Sequence, residues 1–212
     1  MFADLEELTR ISDAWWASVH SRLDSGPPPL WIASGIDELA CLSPEHGVVV
    51  GTFVHRAVCE GGVLARGVVV GGPGAVVTDR SSGLGALTAA SIGRRVALVA
   101  GTVPDAVARI GFMAGEETIG AAALDPLDWA LFSRERPVDA DDISVVGRGP
   151  LVPRLPLLCG DPSRRDEVRL AIAAALRDRA LDDVRDILLI DGFEALDGSD
   201  YVGLVGLARR LL

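Results

Sequence analysis

Ala75-Val76-Val77-Thr78-Asp79-Arg80-Ser81-Ser82-Gly83-Leu84-Gly85 carries the clearest structural signal in the chain. Its apolar, β-branched start predicts a strand over Ala75–Thr78, and the small hydroxyl and glycine residues that follow predict a tight loop into a helix over Ser82–Ala90. The pattern then repeats, with a strand over Arg95–Ala100, a helix over Pro104–Gly115 with Thr102 as its cap, and a strand over Thr118–Leu124. Strands alternating with helices of ~10 residues predict parallel βαβ units, so this region reads as an α/β lobe. Backbone N–H groups at the start of the 82–90 helix, with the hydroxyls of Ser81 and Ser82, suit a carboxylate, phosphate or phosphonate. The same residues also make an ordinary serine cap.

Upstream, Leu5, Leu8, Ile11, Trp15, Val19 and Leu23 recur at helical spacing and stop at Ser25-Gly26-Pro27-Pro28-Pro29, which predicts an amphipathic helix over 4–23. Strands are expected at Leu30–Ala33, Val48–Thr52 and Val63–Val70, with a helical turn around Asp37–Cys41. Gly71-Gly72-Pro73-Gly74 is the best candidate for a hinge. Downstream, Ile143–Val146 with Pro150, Pro153 and Pro156 reads as an extended return segment. A final helix, capped by Ser163 with Asp166, turns Val168, Ile172, Leu176 and Ala180 inward. The expected division is residues 1–71 and 145–212 in lobe one and residues 72–144 in lobe two, with two chain crossings.

Composition narrows the function. The 212 residues are 49% hydrophobic, enough for a core. A formal charge of −10 and the absence of any basic run argue against nucleic acid as a partner. The chain has no lysine, asparagine or glutamine, which removes lysine Schiff-base chemistry, the lysine phosphate loop and side-chain amides as oxyanion donors. Three cysteines without C-x-x-C spacing, and histidines at 20, 46 and 55 without partners at helical spacing, predict neither a disulfide framework nor a metal site. The first 25 residues do not read as a secretory signal. Val63–Val77 is too short and too interrupted to span a membrane, so a cytoplasmic protein without membrane insertion is expected.

Further candidate site residues follow from position. Ile32-Ala33-Ser34-Gly35 repeats the strand, small residue, helix arrangement. His55, Cys59 and Glu60 lie close together, with a nucleophile and base or a loop histidine beside a small buried cysteine as the two readings. Asp125, before Pro126 and Asp128, is either one of a carboxylate pair or a helix cap. Trp15 and Trp16 occupy two faces of one helix, so at most one is expected to be core and the other a pocket or surface residue.

Three stretches carry a family resemblance: Ala122-Ala123-Leu124-Asp125-Pro126-Leu127-Asp128-Trp129-Ala130-Leu131, the run from Val145 to Pro156, and Asp191-Gly192-Phe193-Glu194 with Asp200-Tyr201. With Gly51-Thr52 and Cys59-Glu60-Gly61, they make the chain resemble the phosphonate-type solute-binding proteins of ABC importers, which have the type 2 periplasmic-binding fold. The resemblance implies two α/β lobes joined by two crossing strands, closing on a small organic anion without a cofactor. It places Ser34 and Gly35 on a ligand-facing turn of lobe one, and Thr78, Ser81, Ser82 and Gly83 at an anion-binding helix start of lobe two. Asp125 matches the acid that ends the last lobe-two strand, His55 stands where members often have tyrosine, and Trp15 matches an aromatic of the first helix. The chain has no amide side chains, and it is expected to depart from the pattern also in a strand before the first helix and in an export signal. The missing strand is expected to leave a sheet edge that a homo-oligomer would cover. The alternative is an enzyme on the same fold, resembling the cytoplasmic chorismate-dehydratase group, with Asp125 or His55 as general acid or base on a small carboxylate. A scaffold that has lost its ligand is a third reading.

Overall fold

The computed structural model describes residues 5–79, 81–93, 96–99, 103–110, 113–114 and 117–212. In chain order the elements are α1 (Leu5–His20), β1 (Leu30–Ile32), α2 (Ile36–Ala40), β2 (Val48–His55), β3 (Leu64–Ala65), β4 (Val68–Gly71) and β5 (Ala75–Asp79). There follow α3 (Gly83–Ser91), β6 (Val96–Val99), α4 (Val103–Ala108), β7 (Met113–Ala114), β8 (Glu117–Leu124), α5 (Pro126–Glu135) and α6 (Pro137–Asp141). The chain ends with β9 (Val145–Arg148), β10 (Val152–Pro153), β11 (Leu157–Cys159), α7 (Arg165–Arg177), α8 (Asp182–Ile187), β12 (Ile190–Glu194) and α9 (Val202–Arg209). The cap expected at Thr102 lies outside the described residues. Among those residues no helix is long and apolar enough to cross a membrane.

The elements form two compact units. The first comprises the chain through Ala33, Leu42–Val63 and Arg154–Val202. Its sheet has the order β1-β11-β2-β12, with all neighbours antiparallel. β11 lies between β1 and β2, so the edges of this sheet are β1 and β12. On it α1 lays Trp15 and Val19, and α7 lays Val168, Ala171, Ile172 and Ala175, around Val50 and Phe53. The spacing of three and four residues that predicts both helices is what lines up these side chains on one face. Two details differ from expectation. Asp161 provides the cap ahead of α7, accepting from the backbone and hydroxyl of Ser163 at 3.0 and 2.6 Å. Ala180 lies beyond the helix and is exposed, and Ala175 takes the inner position.

The second unit comprises Ser34–Cys41, Leu64–Pro153 and Gly203–Leu212. Its main sheet has the order β6-β5-β8-β4-β9, with β5 parallel to both β6 and β8. Helices cover both faces, which explains apolar runs without alternation. Val68, Val70, Val77, Ala122 and Leu124 pack on one face, and Val69, Val76, Ala121 and Ala123 on the other.

The division between units falls at residues 63–64 and 153–154 and not at the glycine-rich run. β4 and β9 are hydrogen-bonded into the second sheet, and that ladder outweighs local punctuation. Gly71–Gly74 is a turn within this unit. Gly71 and Gly74 have φ of +109° and +120°, and Gly72 N–H donates to the Gly120 carbonyl at 2.7 Å. The expected Val63–Val70 strand breaks at Gly67, where a Cβ would lie 2.0 Å from Thr88 Oγ1 on α3. A Cβ on Gly149 would lie 2.2 Å from the same hydroxyl, so α3 packs directly on two backbone segments that are joined by Gly149 N–H to Gly67 O at 2.8 Å.

Candidate functional site

Because β5 and β8 run parallel, their carboxyl ends finish side by side, and a helix starts from each. This edge is where ligands bind in open α/β sheets. Thr78 Oγ1 donates to the Ala123 carbonyl at 2.9 Å, tying the two strand ends together. Ser82 caps α3 by accepting from Gly85 N–H at 3.2 Å, and Asp125 caps α5 by accepting from Leu127 N–H at 2.8 Å. Gly85 has no side chain because a Cβ there would meet Ser82 Oγ, Ala123 O and Thr78 Oγ1 at 2.8 to 2.9 Å. Asp79 accepts from both the backbone and the hydroxyl of Ser81.

Ser34 and Gly35 come to the same place. The Ser34 carbonyl accepts from Gly83 N–H at 2.6 Å, and Leu39 of α2 packs over Gly83. Glu38 Oε2 accepts from the backbone N–H of Ser34 and Gly35 at 2.8 and 3.0 Å. Seven of the sequence candidates, Ser34, Gly35, Thr78, Ser81, Ser82, Gly83 and Asp125, therefore share the second unit. The expectation that Ser34 and Gly35 belong to one lobe and the 78–83 turn to the other gives way to direct backbone contact within one unit. The backbone N–H groups of Ser34, Gly35, Ser81, Gly83 and Gly85 are each matched to an acceptor of the chain itself.

The other two candidates lie in the first unit. His55 ends β2, is buried, and its ring is 6.2 Å from that of Phe53. Its backbone N–H donates to Cys59 Sγ at 3.4 Å, which makes Cys59 part of a turn. Trp15 is a core residue, with its ring 6.0 Å from Phe53 in edge-to-face contact. Trp16, next to it on α1, also packs its ring 6.0 Å from Phe53 and lines a groove of about 540 Å³ with His20, Pro27, Pro28, Pro29 and Leu30.

A buried polar group in the first unit escaped the sequence reading: Thr52, Arg154 and Tyr201 are at most 4% exposed. Thr52 Oγ1 donates to the Leu155 carbonyl at 2.8 Å. The Tyr201 hydroxyl abuts Thr52 but has no aligned hydrogen bond. Burial raises the Tyr201 phenol well above its ordinary range, with the Asp200 charge adding and Thr52 and Arg154 opposing. Folding thus retains a proton that the unfolded chain loses. The associated stability is intact below the ordinary tyrosine pKa of about 10 and is lost as pH rises toward the raised value. Tyr201 is the chain's single tyrosine, so absorbance at 295 nm reports it directly. Phenolate is expected to appear together with loss of the far-ultraviolet circular dichroism signal. Ionisation near pH 10 with secondary structure retained would contradict this.

No family model matches the chain, and no curated protein matches it by sequence. Solved structures do match in fold. The binding-protein component of an ABC phosphonate transporter from Pseudomonas aeruginosa has a TM-score of 0.64 at 12% identity, covering 96% of this chain and 80% of its own. PhnD1 from Prochlorococcus marinus, in complex with methylphosphonate, has a TM-score of 0.59 at 10% identity, covering 95% and 83%. The protein XAC2383 from Xanthomonas citri, bound to ATP, has a TM-score of 0.63 at 14% identity, covering 95% and 83%. The fold is that of the type 2 periplasmic-binding proteins.

Proposed function

We propose that this type 2 periplasmic-binding chain is a solute-binding protein that takes a small organic anion, a phosphonate, phosphate ester or carboxylate, at the start of α3 and needs no cofactor. The observation that carries the reading is the convergence of Thr78, Ser81, Ser82, Gly83 and Asp125 on the adjoining carboxyl ends of β5 and β8. A nine-residue helix starts there with its positive end at this edge, and the Ser82 hydroxyl, which accepts from Gly85 N–H, has a proton of its own to donate. Asp79 and Asp125 at the same edge oppose a second negative charge, so the ligand is taken as a monoanion. The phosphonate-transport neighbours lend the reading support at the level of fold.

Isothermal titration with methylphosphonate, a phosphate monoester and a series of carboxylates tests this reading. One class is expected to give saturable heat. Ser82→Ala is expected to weaken that binding about tenfold, the value of one hydrogen bond to a charged group. Absence of heat with every anion at millimolar concentration would remove the proposal.

A further inference from the structure

We propose that β9 is a self-pairing edge through which two copies of this chain join about a two-fold axis, with Arg148 of one copy set against Asp142 of the other.

Among the described strands, β9 pairs with β4 alone and ends the second sheet. Gly71 N–H donates to the Ser144 carbonyl at 2.9 Å, and Gly149 N–H donates to the Gly67 carbonyl at 2.8 Å. Backbone groups alternate in direction along an antiparallel strand, so Val145 and Arg148, each next to one of these residues, turn theirs away from β4. The side chains of this edge are open too: Val145 is 44% exposed and Val146 49%, and Ser144 and Arg148 are exposed with them. Adjacent exposed valines on an edge strand offer a template to another strand.

The charges decide which strand. Asp141 and Asp142 precede β9 and Arg148 ends it, all three exposed. Antiparallel pairing of this stretch with itself, centred on Val145, sets residue 142 of each copy opposite residue 148 of the other, and it lets the two Val145 backbones bond to each other. An in-register parallel pair would set acid beside acid and arginine beside arginine. The edges of the first sheet fit self-pairing less well. β1 is three residues long and follows Pro27-Pro28-Pro29, and β12 presents Asp191 and Glu194, which self-pairing would bring acid against acid. Each copy offers β9 once, so assembly through it closes at two. The register shift between Val69 and Val70 shortens the regular stretch, and the charge of −10 on each copy opposes association. The dimer is therefore weak, with a dissociation constant on the order of 10 μM.

Sedimentation velocity on the full chain from ~1 to ~200 μM tests this, with thermal melts as a check on folding. Wild type is expected to pass from one copy to two across this range. Arg148→Glu and Asp142→Arg are each expected to weaken the dimer about tenfold, because each turns two attractive pairs repulsive. The double variant restores opposite charges and is expected to recover the wild-type affinity to within about threefold. The two residues are exposed and stand at opposite ends of β9, so a folding defect in one variant leaves the other to decide. Wild type that stays a single copy at the highest concentration would overturn the proposal and leave the edge to a different partner or to none. So would a dimer that neither single substitution weakens, since its contact lies on another face. Single substitutions that weaken the dimer without recovery in the double variant would overturn the pairing of Arg148 with Asp142.

Discussion

Gly120→Ala is expected to destabilise the second unit by roughly 3 kcal/mol, the upper part of the range for forced overpacking. Gly120 lies in β8 where the Gly71–Gly74 turn passes over it, and an added Cβ would sit 1.5 Å from the Pro73 carbonyl oxygen and 3.0 Å from Gly74 N. Both obstacles are backbone, so no rotamer change relieves them. The turn must move, which breaks the hydrogen bond from Gly72 N–H to Gly120 O. The urea midpoint of the transition that reports the second unit should fall accordingly. A change below about 0.5 kcal/mol would show that the turn yields freely and that the close approach has no structural role.

Trp15→Ala is expected to cost the first unit about 3–5 kcal/mol, the usual loss for a large aromatic removed from a core. Trp15 is 1% exposed and contacts the cluster of Val19, Val50, Phe53 and Ile172. The family resemblance assigns Trp15 to ligand contact, and its burial assigns it to packing, so the two roles separate in Trp15→Phe. That variant retains most of the apolar contact and is expected to bind anions as the wild type does. Loss of binding with an unchanged thermal midpoint would return Trp15 to the site.

The parts of the fold legible in the sequence are those set by local pattern. The Ala75–Gly85 run and the strand–helix alternation after it announce β5, α3 and β8, and Asp125 before Pro126 announces the cap of α5. What escaped depends on distant partners. The break at Gly67 exists because Thr88 stands against it from a helix 21 residues on, and the Gly71–Gly74 run looks like a hinge until Gly120 is seen to lie beneath it. Likewise, spacing identifies the amides at positions 34 and 83 as donors, but only the fold shows that Glu38 and the Ser34 carbonyl already accept from them. Arg154 and Tyr201 lie in stretches that carry the resemblance, but no spacing marks either as buried, and their neighbours, Val63 for the Arg154 backbone and Thr52 for the Tyr201 hydroxyl, come from far along the chain.

A ¹⁵N-labelled protein titrated with methylphosphonate, followed by backbone amide shifts, most directly tests whether a solute binds at the start of α3. The amides of Ser81, Ser82, Gly83 and Leu84 should move together and saturate. Shifts that saturate instead at Trp16 and His20 in the first unit, with the 81–84 amides unmoved, would contradict it.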